Sequence, residues 1–169
     1  MSRQPPERRP DASPMVIVDD ERATGSPNHA VDVDVDRWAR LVADVLAAEG
    51  LGDRPVEVHV HFVDESAMED LNREHMGGEG PTDVLAFPVD DPATVPDGIP
   101  VLLGDVVVCP VVAANQASAH AGDFTSEVSL LLVHGVLHLL GHDHGEPEEA
   151  EAMRARERDH LARYGMVRP

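Results

Sequence analysis

The sequence predicts a single α/β (α+β) domain, in which a small mixed four-stranded sheet is packed with helices. Its 169 residues suit one domain with a core of its own. Segments with the alternation of strands and segments with the periodicity of amphipathic helices mix along the chain without an internal repeat. One helical segment also carries histidines at the spacing of metal ligands, so a metal-binding helix is expected within the fold.

The N-terminal part of the chain is expected to be a tail followed by a strand. Residues 1–14 are polar and rich in proline and lack the apolar stretch of a signal peptide, so we expect them to be disordered. The domain is expected to fill residues 15–169. Its first strand is predicted at Met15 to Asp19, a short run rich in β-branched side chains, and a loop with Gly25 and Pro27 follows.

A helix and an alternating strand come next. Asp36 is expected to cap the helix, and Gly50 is expected to end it. Its apolar face is formed by Trp38, Leu41, Val42, Val45 and Leu46. Val56 to Val63 alternates between apolar and polar residues, which predicts a strand. His59 and His61 fall on its polar face and are interpreted as polar-face residues rather than metal ligands.

A capping box predicts the start of the second helix. Ser66 and Glu69 have the spacing at which each side chain bonds to the other's backbone N–H group. Met68, Leu71 and Met76 are expected to point inward from this helix. A glycine-rich loop should end it.

The second half of the chain is predicted to contain two strands and three helices. The strands are expected at Asp83 to Pro88 and at Val101 to Cys109, the latter interrupted by a Gly-Asp pair. A helix of small residues is expected around Val111 to Ala121, and an apolar helix from about Asp123 to Leu140. The last helix should open at Pro147 and run to about Tyr164.

The apolar helix carries the motif with the clearest chemistry. His134 and His138 are four residues apart, so both imidazoles project from one face of a helix. Gly141 can adopt the left-handed conformation that ends a helix, which would return His144 toward the other two histidines. Three protein ligands leave one tetrahedral position open, which is typical of catalytic rather than structural zinc. The pattern predicts one bound Zn²⁺.

The residues around these histidines leave several questions open. The spacing H-x3-H-x2-G-x2-H is that of metzincin proteases, but Gly135 stands where those enzymes carry the general-base glutamate. His142 is interpreted as a neighbour of the site rather than a ligand. Asp143 could orient a ligand, act in catalysis, or shape the turn.

The composition argues against nucleic acid as a partner. The chain has 32 acidic and 13 basic residues, all of the latter arginine, and a formal net charge of −19. Such a surface repels phosphates. Arginines near the C-terminus alternate with glutamates, which predicts a solvated helix with ion pairs. These residues are Arg154, Arg156, Arg158, Arg163 and Arg168, with Glu148, Glu149, Glu151 and Glu157.

Cysteine content and hydropathy bear on the type of metal site and on the location of the protein. Cys109 is the only cysteine, which excludes an internal disulfide and a thiolate-rich zinc site. No apolar run approaches the length of a membrane span, and the cytoplasm is the expected location.

Three blocks of the sequence resemble one protein family. His134 to His144 is similar to the H-G-x-L-H-L-x-G-[YH]-D-H signature of the YbeY family of bacterial metal-dependent endoribonucleases. Leu71 to Glu74, followed by Gly80 to Pro88, is similar to that family's L-N-x-x-[YF]-R-G and P-T-D-V-L-S-F-P segments. Leu103 to Val106 resembles its L-G-D-[IV] strand. The blocks occur in the family's order.

The resemblance implies an activity, a metal and partners. It implies zinc ligands at His134, His138 and His144, and a single α/β domain with the histidine helix at its centre. It also implies cleavage of single-stranded RNA, processing of the 3′ end of small-subunit ribosomal RNA, and a part in ribosome maturation and quality control. Small-subunit ribosomal proteins and an Era-type GTPase are the partners it implies.

The chain departs from the family pattern at a position that bears on catalysis. Met76 stands where the family usually has an arginine, and a phosphoryl-transfer site needs a cation near the phosphate. Arg73, one turn earlier, is a candidate substitute, although packing or a surface ion pair would also explain it. Asp143 and Asp105 are the candidates for a general base.

Two other functions remain open on the sequence. A metallohydrolase of a peptide or ester bond fits the metzincin-like spacing and the acidic surface, although the glutamate is missing. A non-catalytic ribosome assembly factor with a structural metal would also account for the histidines.

Overall fold

The computed structural model describes residues 13–23 and 31–168, which contain four strands, five α-helices and a short π-helical segment at Ala47–Leu51. The strands are β1 Met15–Asp20, β2 Val56–Phe62, β3 Val84–Pro88 and β4 Val101–Val108. The helices are α1 Val35–Leu46, α2 Glu65–Met76, α3 Pro110–Ala117, α4 Phe124–Leu139 and α5 Pro147–Ala162. Most of the predicted tail and the loop with Gly25 and Pro27 lie outside the described residues.

The strands form one mixed sheet in the order β1-β2-β4-β3. β1 is parallel to β2 and β2 is parallel to β4, whereas β3 pairs antiparallel with β4 at the edge. This confirms the predicted fold class.

A bulge lets β4 continue through the Gly-Asp pair at which an interruption was predicted. Glu57 of β2 pairs with Leu102, but the next residue of β2 pairs with Gly104, so β4 contains one extra residue. Gly104 has a φ of +136°, and a Cβ there would lie 2.1 Å from the carbonyl oxygen of Phe87. The predicted break was therefore wrong, because only glycine fits this position and it keeps the strand paired on both sides.

The two faces of the sheet are covered unequally. The main core lies on one face, where Val58 and Val60 of β2 pack with α1, α4 and α5. A smaller cluster on the other face is formed by Val63, Met68, Leu85, Val107 and Cys109. Helix α4 lies at the centre of the fold, since it contacts α1, α3 and α5 as well as β3 and β4. The polar residues of β2 therefore lie on the less covered face.

The beginnings of α1 and α2 differ from the prediction. The cap of α1 is Asp34, whose side chain accepts a hydrogen bond from the backbone N–H of Arg37, and Asp36 lies within the first turn. Helix α2 starts at Glu65, so Ser66 is already helical and the predicted capping box does not form. The apolar face predicted for α1 is buried.

Helix α2 points fewer side chains inward than predicted. Met68 is fully buried and Leu71 packs partly buried against the smaller cluster. Met76 is 55 % exposed, because it is the last residue of the helix and extends beyond the packed part. Helix α3 also ends earlier than expected, at Ala117.

Candidate metal centre

Helix α4 holds the first two histidines in a rigid position. The helix is buried on nearly all sides, and Asp123 caps its start by accepting a hydrogen bond from the backbone N–H of Ser126 at 2.8 Å. The Nε2 atoms of His134 and His138 lie 3.1 Å apart. Two ligand atoms on a tetrahedral zinc ion are separated by about 3.3 Å, so this spacing fits a shared metal.

The end of α4 returns the chain so that a third histidine joins them. Gly141 has a φ of +95°, its N–H bonds to the carbonyl of His138, and the N–H of His142 bonds to the carbonyl of Leu137. This is a Schellman motif, which reverses the chain within a few residues. The ring of His144 consequently lies 5.6 Å from that of His134 and 5.1 Å from that of His138, between centroids. One ligand atom from each of the three lies within 4.8 Å of the others.

Glu157 of α5 fixes the orientation of His134, and the sequence reasoning missed it. Its side chain is buried and accepts a hydrogen bond from Nδ1 of His134 at 2.7 Å and another from Nε of Arg168. With the proton on Nδ1, the lone pair of Nε2 is directed toward His138, which is the tautomer a metal ligand needs.

The prediction of a solvated helix was wrong for Glu157. Burial alone would raise the pKa of its carboxyl group, but the bonds from His134 and Arg168 outweigh burial and hold the pKa below its ordinary value. A signal was present in the sequence, since Glu157 lies midway between Met153 and Leu161, four residues from each, on the buried stripe of α5. A carboxylate on such a stripe needs a partner.

His138 is kept in the form that binds metals. Burial lowers the pKa of its ring, and the neighbouring His134 and His144 lower it further. The imidazole is therefore neutral near pH 7, with a lone pair available to a cation.

A cavity of about 330 Å³ opens above the three histidines. Its walls are largely apolar and come from α2 and β3 as well as α4. They include Met76, Val84, Leu85, Ala86, Pro88 and Gly135. Met76, at the position where the resemblance implies an arginine, thus faces the same cavity as the histidines.

Gly135 is explained by packing. A Cβ atom at this position would lie 2.7 Å from Cγ1 of Val106 on β4. The helix that carries the histidines therefore lies so close to β4 that no larger side chain fits between them. This leaves no room for a glutamate at the position where metzincins carry one.

The other residues that the sequence suggested near the site do not belong to the group of three histidines. Asp143 is exposed and accepts a hydrogen bond from the backbone N–H of His144 at 2.7 Å, so it shapes the turn that presents this histidine. His142 is not among the three whose ligand atoms come together. Arg73 is exposed and pairs with Asp70 at 2.6 Å.

Asp105 lies on the other face of the sheet. Its carboxylate is 2.8 Å from Nε2 of His61, and it lines a separate cavity. The structure thus brings together the three predicted metal ligands but separates Asp105 from them. Sequence reasoning could not have shown this, because the bulge in β4 determines the face on which Asp105 lies.

Comparison with known proteins agrees with these features. The family model described as Endoribonuclease YbeY matches residues 25–165. A protein of that name from Salinispora tropica is 44% identical over 146 residues, covering 81% of this chain and 92% of its own length. One from Geobacillus kaustophilus is 38% identical, covering 83% of this chain and 93% of its own length. One from Frankia casuarinae is 48% identical over 130 residues, but this chain spans only 64% of its length.

A solved structure has the same fold. The solution structure of a Thermotoga maritima protein matches with a TM-score of 0.55 and 25% identity, over 89% of this chain and 92% of the other. The family model covers most of the chain, and its match includes α4 with His134 and His138, the turn with His144, and α5 with Glu157. The chain belongs to the endoribonuclease YbeY family.

Proposed function

We propose that this chain is a metal-dependent endoribonuclease that cleaves single-stranded RNA during ribosomal RNA processing. The observation that supports it most is the group of three histidines at the base of a cavity, in a chain of this family. The 3′ end of small-subunit ribosomal RNA is the proposed substrate, and ribosome maturation and quality control are the proposed processes.

Zinc is the proposed metal, held by His134, His138 and His144. Three imidazoles suit zinc, and the separation of 3.1 Å between two Nε2 atoms fits its bond lengths. When bound, zinc would polarise a water molecule and a phosphate oxygen. The chain itself positions one of these histidines, because Glu157 holds the tautomer of His134.

Asp143 is the proposed proton acceptor. Among the carboxylates that the sequence suggested, it is the one next to a metal ligand in the chain, and it is exposed beside that ligand. Asp105 faces another cavity, which weakens the case for it. Arg73 would have to leave Asp70 to reach a phosphate, so its proposed role is limited to long-range attraction of RNA.

The proposed partners are small-subunit ribosomal proteins and an Era-type GTPase, and the proposed location is the cytoplasm. Their support is the family to which the chain belongs. Within residues 13–23 and 31–168, no helix combines the length and apolarity needed to cross a membrane.

The test is RNA cleavage by untagged protein loaded with zinc. We expect ribosomal RNA to be cut by the intact chain, but not by the His138→Ala variant or by a chelated sample. His142→Gln is the matched control, because this neighbouring histidine is outside the metal group and should cut normally. Circular dichroism would verify that each variant folds.

Other results would favour the other functions. Chelator-sensitive cleavage of casein without cleavage of RNA would indicate a peptide hydrolase. No cleavage of any substrate, together with normal ribosome assembly in cells carrying His138→Ala, would indicate an assembly factor.

A further inference from the structure

A second group of metal-binding side chains lies on the opposite face of the sheet. His59 and His61 of β2 and Asp105 of β4 each offer one ligand atom, and these atoms lie within 4.8 Å of one another. The two imidazole rings are stacked, with centroids 3.9 Å apart. Asp105 follows Gly104 of the bulge and faces away from Val106, which contacts α4. The two histidine groups therefore lie on opposite sides of β4.

We propose that His59, His61 and Asp105 form a second site for a divalent transition metal such as Zn²⁺ or Co²⁺. Two imidazoles and one carboxylate suit such ions and leave coordination positions open to water. This site is independent of the proposed nuclease activity.

The geometry needs little change to admit an ion. Nε2 of His61 lies 2.8 Å from a carboxylate oxygen of Asp105, and two ligand atoms on a tetrahedral zinc ion are about 3.3 Å apart. A shift of about half an ångström would therefore replace the hydrogen bond by a shared metal. The strands fix the backbone, since His59 and Asp105 are direct partners in the ladder.

Two further carboxylates orient the rings. Glu21 bonds to Nδ1 of His61 at 3.1 Å, and Asp19 bonds to Nε2 of His59 at 2.7 Å. The first bond places the proton on Nδ1 of His61 once a metal occupies Nε2, which is the carboxylate–histidine–metal arrangement found in metalloproteins.

The charge of the group favours a cation. Three carboxylates surround two imidazoles, so the group carries about −3 when the histidines are neutral, and a divalent ion would offset most of it. The same carboxylates also favour the protonated form of the histidine. Burial alone would lower the pKa of His61, but its bonds to Asp105 and Glu21 raise it.

The site is open to solvent. The side chains of His61 and Asp105 are 19% and 43% exposed. They border a cavity of about 330 Å³ whose other walls include Leu71, His75 and Phe87. Ions can therefore enter without unfolding the sheet.

The test counts Co²⁺ and Zn²⁺ ions bound to the untagged full chain at pH 7.5 after equilibrium dialysis. We expect two ions per chain in the wild type and one in each of His61→Ala, Asp105→Asn and His138→Ala. His75→Ala is the control, because this histidine borders the same cavity but lies outside the group, and it should keep two. Glu21→Gln should keep the site but weaken it about tenfold.

The absorption spectrum of bound Co²⁺ distinguishes the two sites, because His138→Ala should remove one set of bands and His61→Ala or Asp105→Asn the other. The proposal would be overturned if the wild type bound no ion, or one ion that His61→Ala and Asp105→Asn also kept, or if either of these two variants kept two ions. If His61→Ala does not fold, Asp105→Asn decides, since it replaces a half-exposed side chain by one of equal size.

Discussion

Glu157 links the metal centre to the C-terminal end of the described chain. Its buried carboxylate accepts hydrogen bonds from His134 on one side and from Arg168 on the other. We expect Glu157→Gln to weaken zinc binding about 10- to 100-fold, because the neutral amide no longer increases the basicity of the ring. Competition with a chromophoric chelator measures this affinity.

Glu151→Gln is the control for this prediction. Glu151 lies on the same helix but is exposed and pairs with Arg154 and Arg158. Its replacement should leave zinc affinity unchanged. Equal affinities of both variants and the wild type would mean that Glu157 serves stability alone.

Met76 gives a second prediction at this scale, which depends on the proposed nuclease activity. It faces the cavity at the metal centre, in a chain of net charge −19. Met76→Arg should raise kcat/KM for RNA roughly tenfold, because a guanidinium can bond to a phosphate where a thioether cannot. Initial rates with labelled RNA measure it.

The matched control is Met76→Gln, which is similar in length but uncharged. We expect it to behave like the wild type. If arginine and glutamine gave the same rate, the phosphate would not pass near residue 76.

At the scale of single residues, the sequence predicted that the three histidines come together, but not the residue that supports them. His134, His138 and His144 are close in sequence, so helix periodicity and one glycine suffice to bring them together. Glu157 is 23 residues from its partner His134, and the charged residues around it suggested exposure. Its place on the buried stripe of α5 indicates that it needs a partner, but only the packing of α5 on α4 shows that this partner is His134.

Among the elements, α4 and β4 have the closest contact. Gly135→Ala should lower the free energy of unfolding by about 1–2 kcal/mol, because the overpacking against Val106 exceeds the roughly 1 kcal/mol gained in helix propensity. Urea unfolding of the chelated protein measures it, with the single tryptophan as the fluorescent probe.

Val106→Ala provides the matched background, since it removes the methyl groups that the new Cβ would meet. In that background Gly135→Ala should leave the free energy of unfolding unchanged or raise it. Strictly additive effects in the double-mutant cycle would show that the two positions do not clash.

Periodicity predicted the elements better than their ends. The buried faces of α1 and β2 are those that the apolar pattern indicated. The caps were misplaced because Asp34 and Asp36 are both good capping residues and the local sequence does not choose between them. In α2, two additional helical residues at the start, Glu65 and Ser66, removed the predicted capping box.

At the scale of the whole molecule, Tyr164 joins the end of the chain to α1 by donating a hydrogen bond to Asp44. Burial, this bond and the charge of Asp44 raise the pKa of Tyr164 to about 12. The folded pKa is above the unfolded value of about 10. The stabilisation by this contact is therefore complete below pH 10 and lost as the pH rises toward 12.

Absorbance at 295 nm follows this titration, and the chain has only one tyrosine. We expect a midpoint near 12 in the native protein, a lower one in Asp44→Asn, and about 10 in urea. Tryptophan fluorescence would show whether the fold persists through the range. A native midpoint equal to that in urea would contradict the contact.

The order of the strands lay beyond sequence reasoning. Local patterns placed all four strands, but the pairing of β2 with β4, and not with β3, depends on contacts between distant segments. For this reason His59 and His61 looked like ordinary polar-face residues, and Asp105 like a possible base. The parallel pairing of β2 and β4 brings these three together.

The bulge in β4 changes which side chains of that strand, the odd-numbered or the even-numbered ones, face the main core. Before it, the odd-numbered Val101 and Leu103 point to the main core, whereas after it the even-numbered Val106 and Val108 do so. If the same residues alternated regularly, with no bulge, Asp105 would point at α4 as a buried charge, and Val106 would be exposed. The bulge therefore sets the face of every side chain that follows it in β4, and a change that straightened the strand while keeping its residues would exchange the two sides of this half.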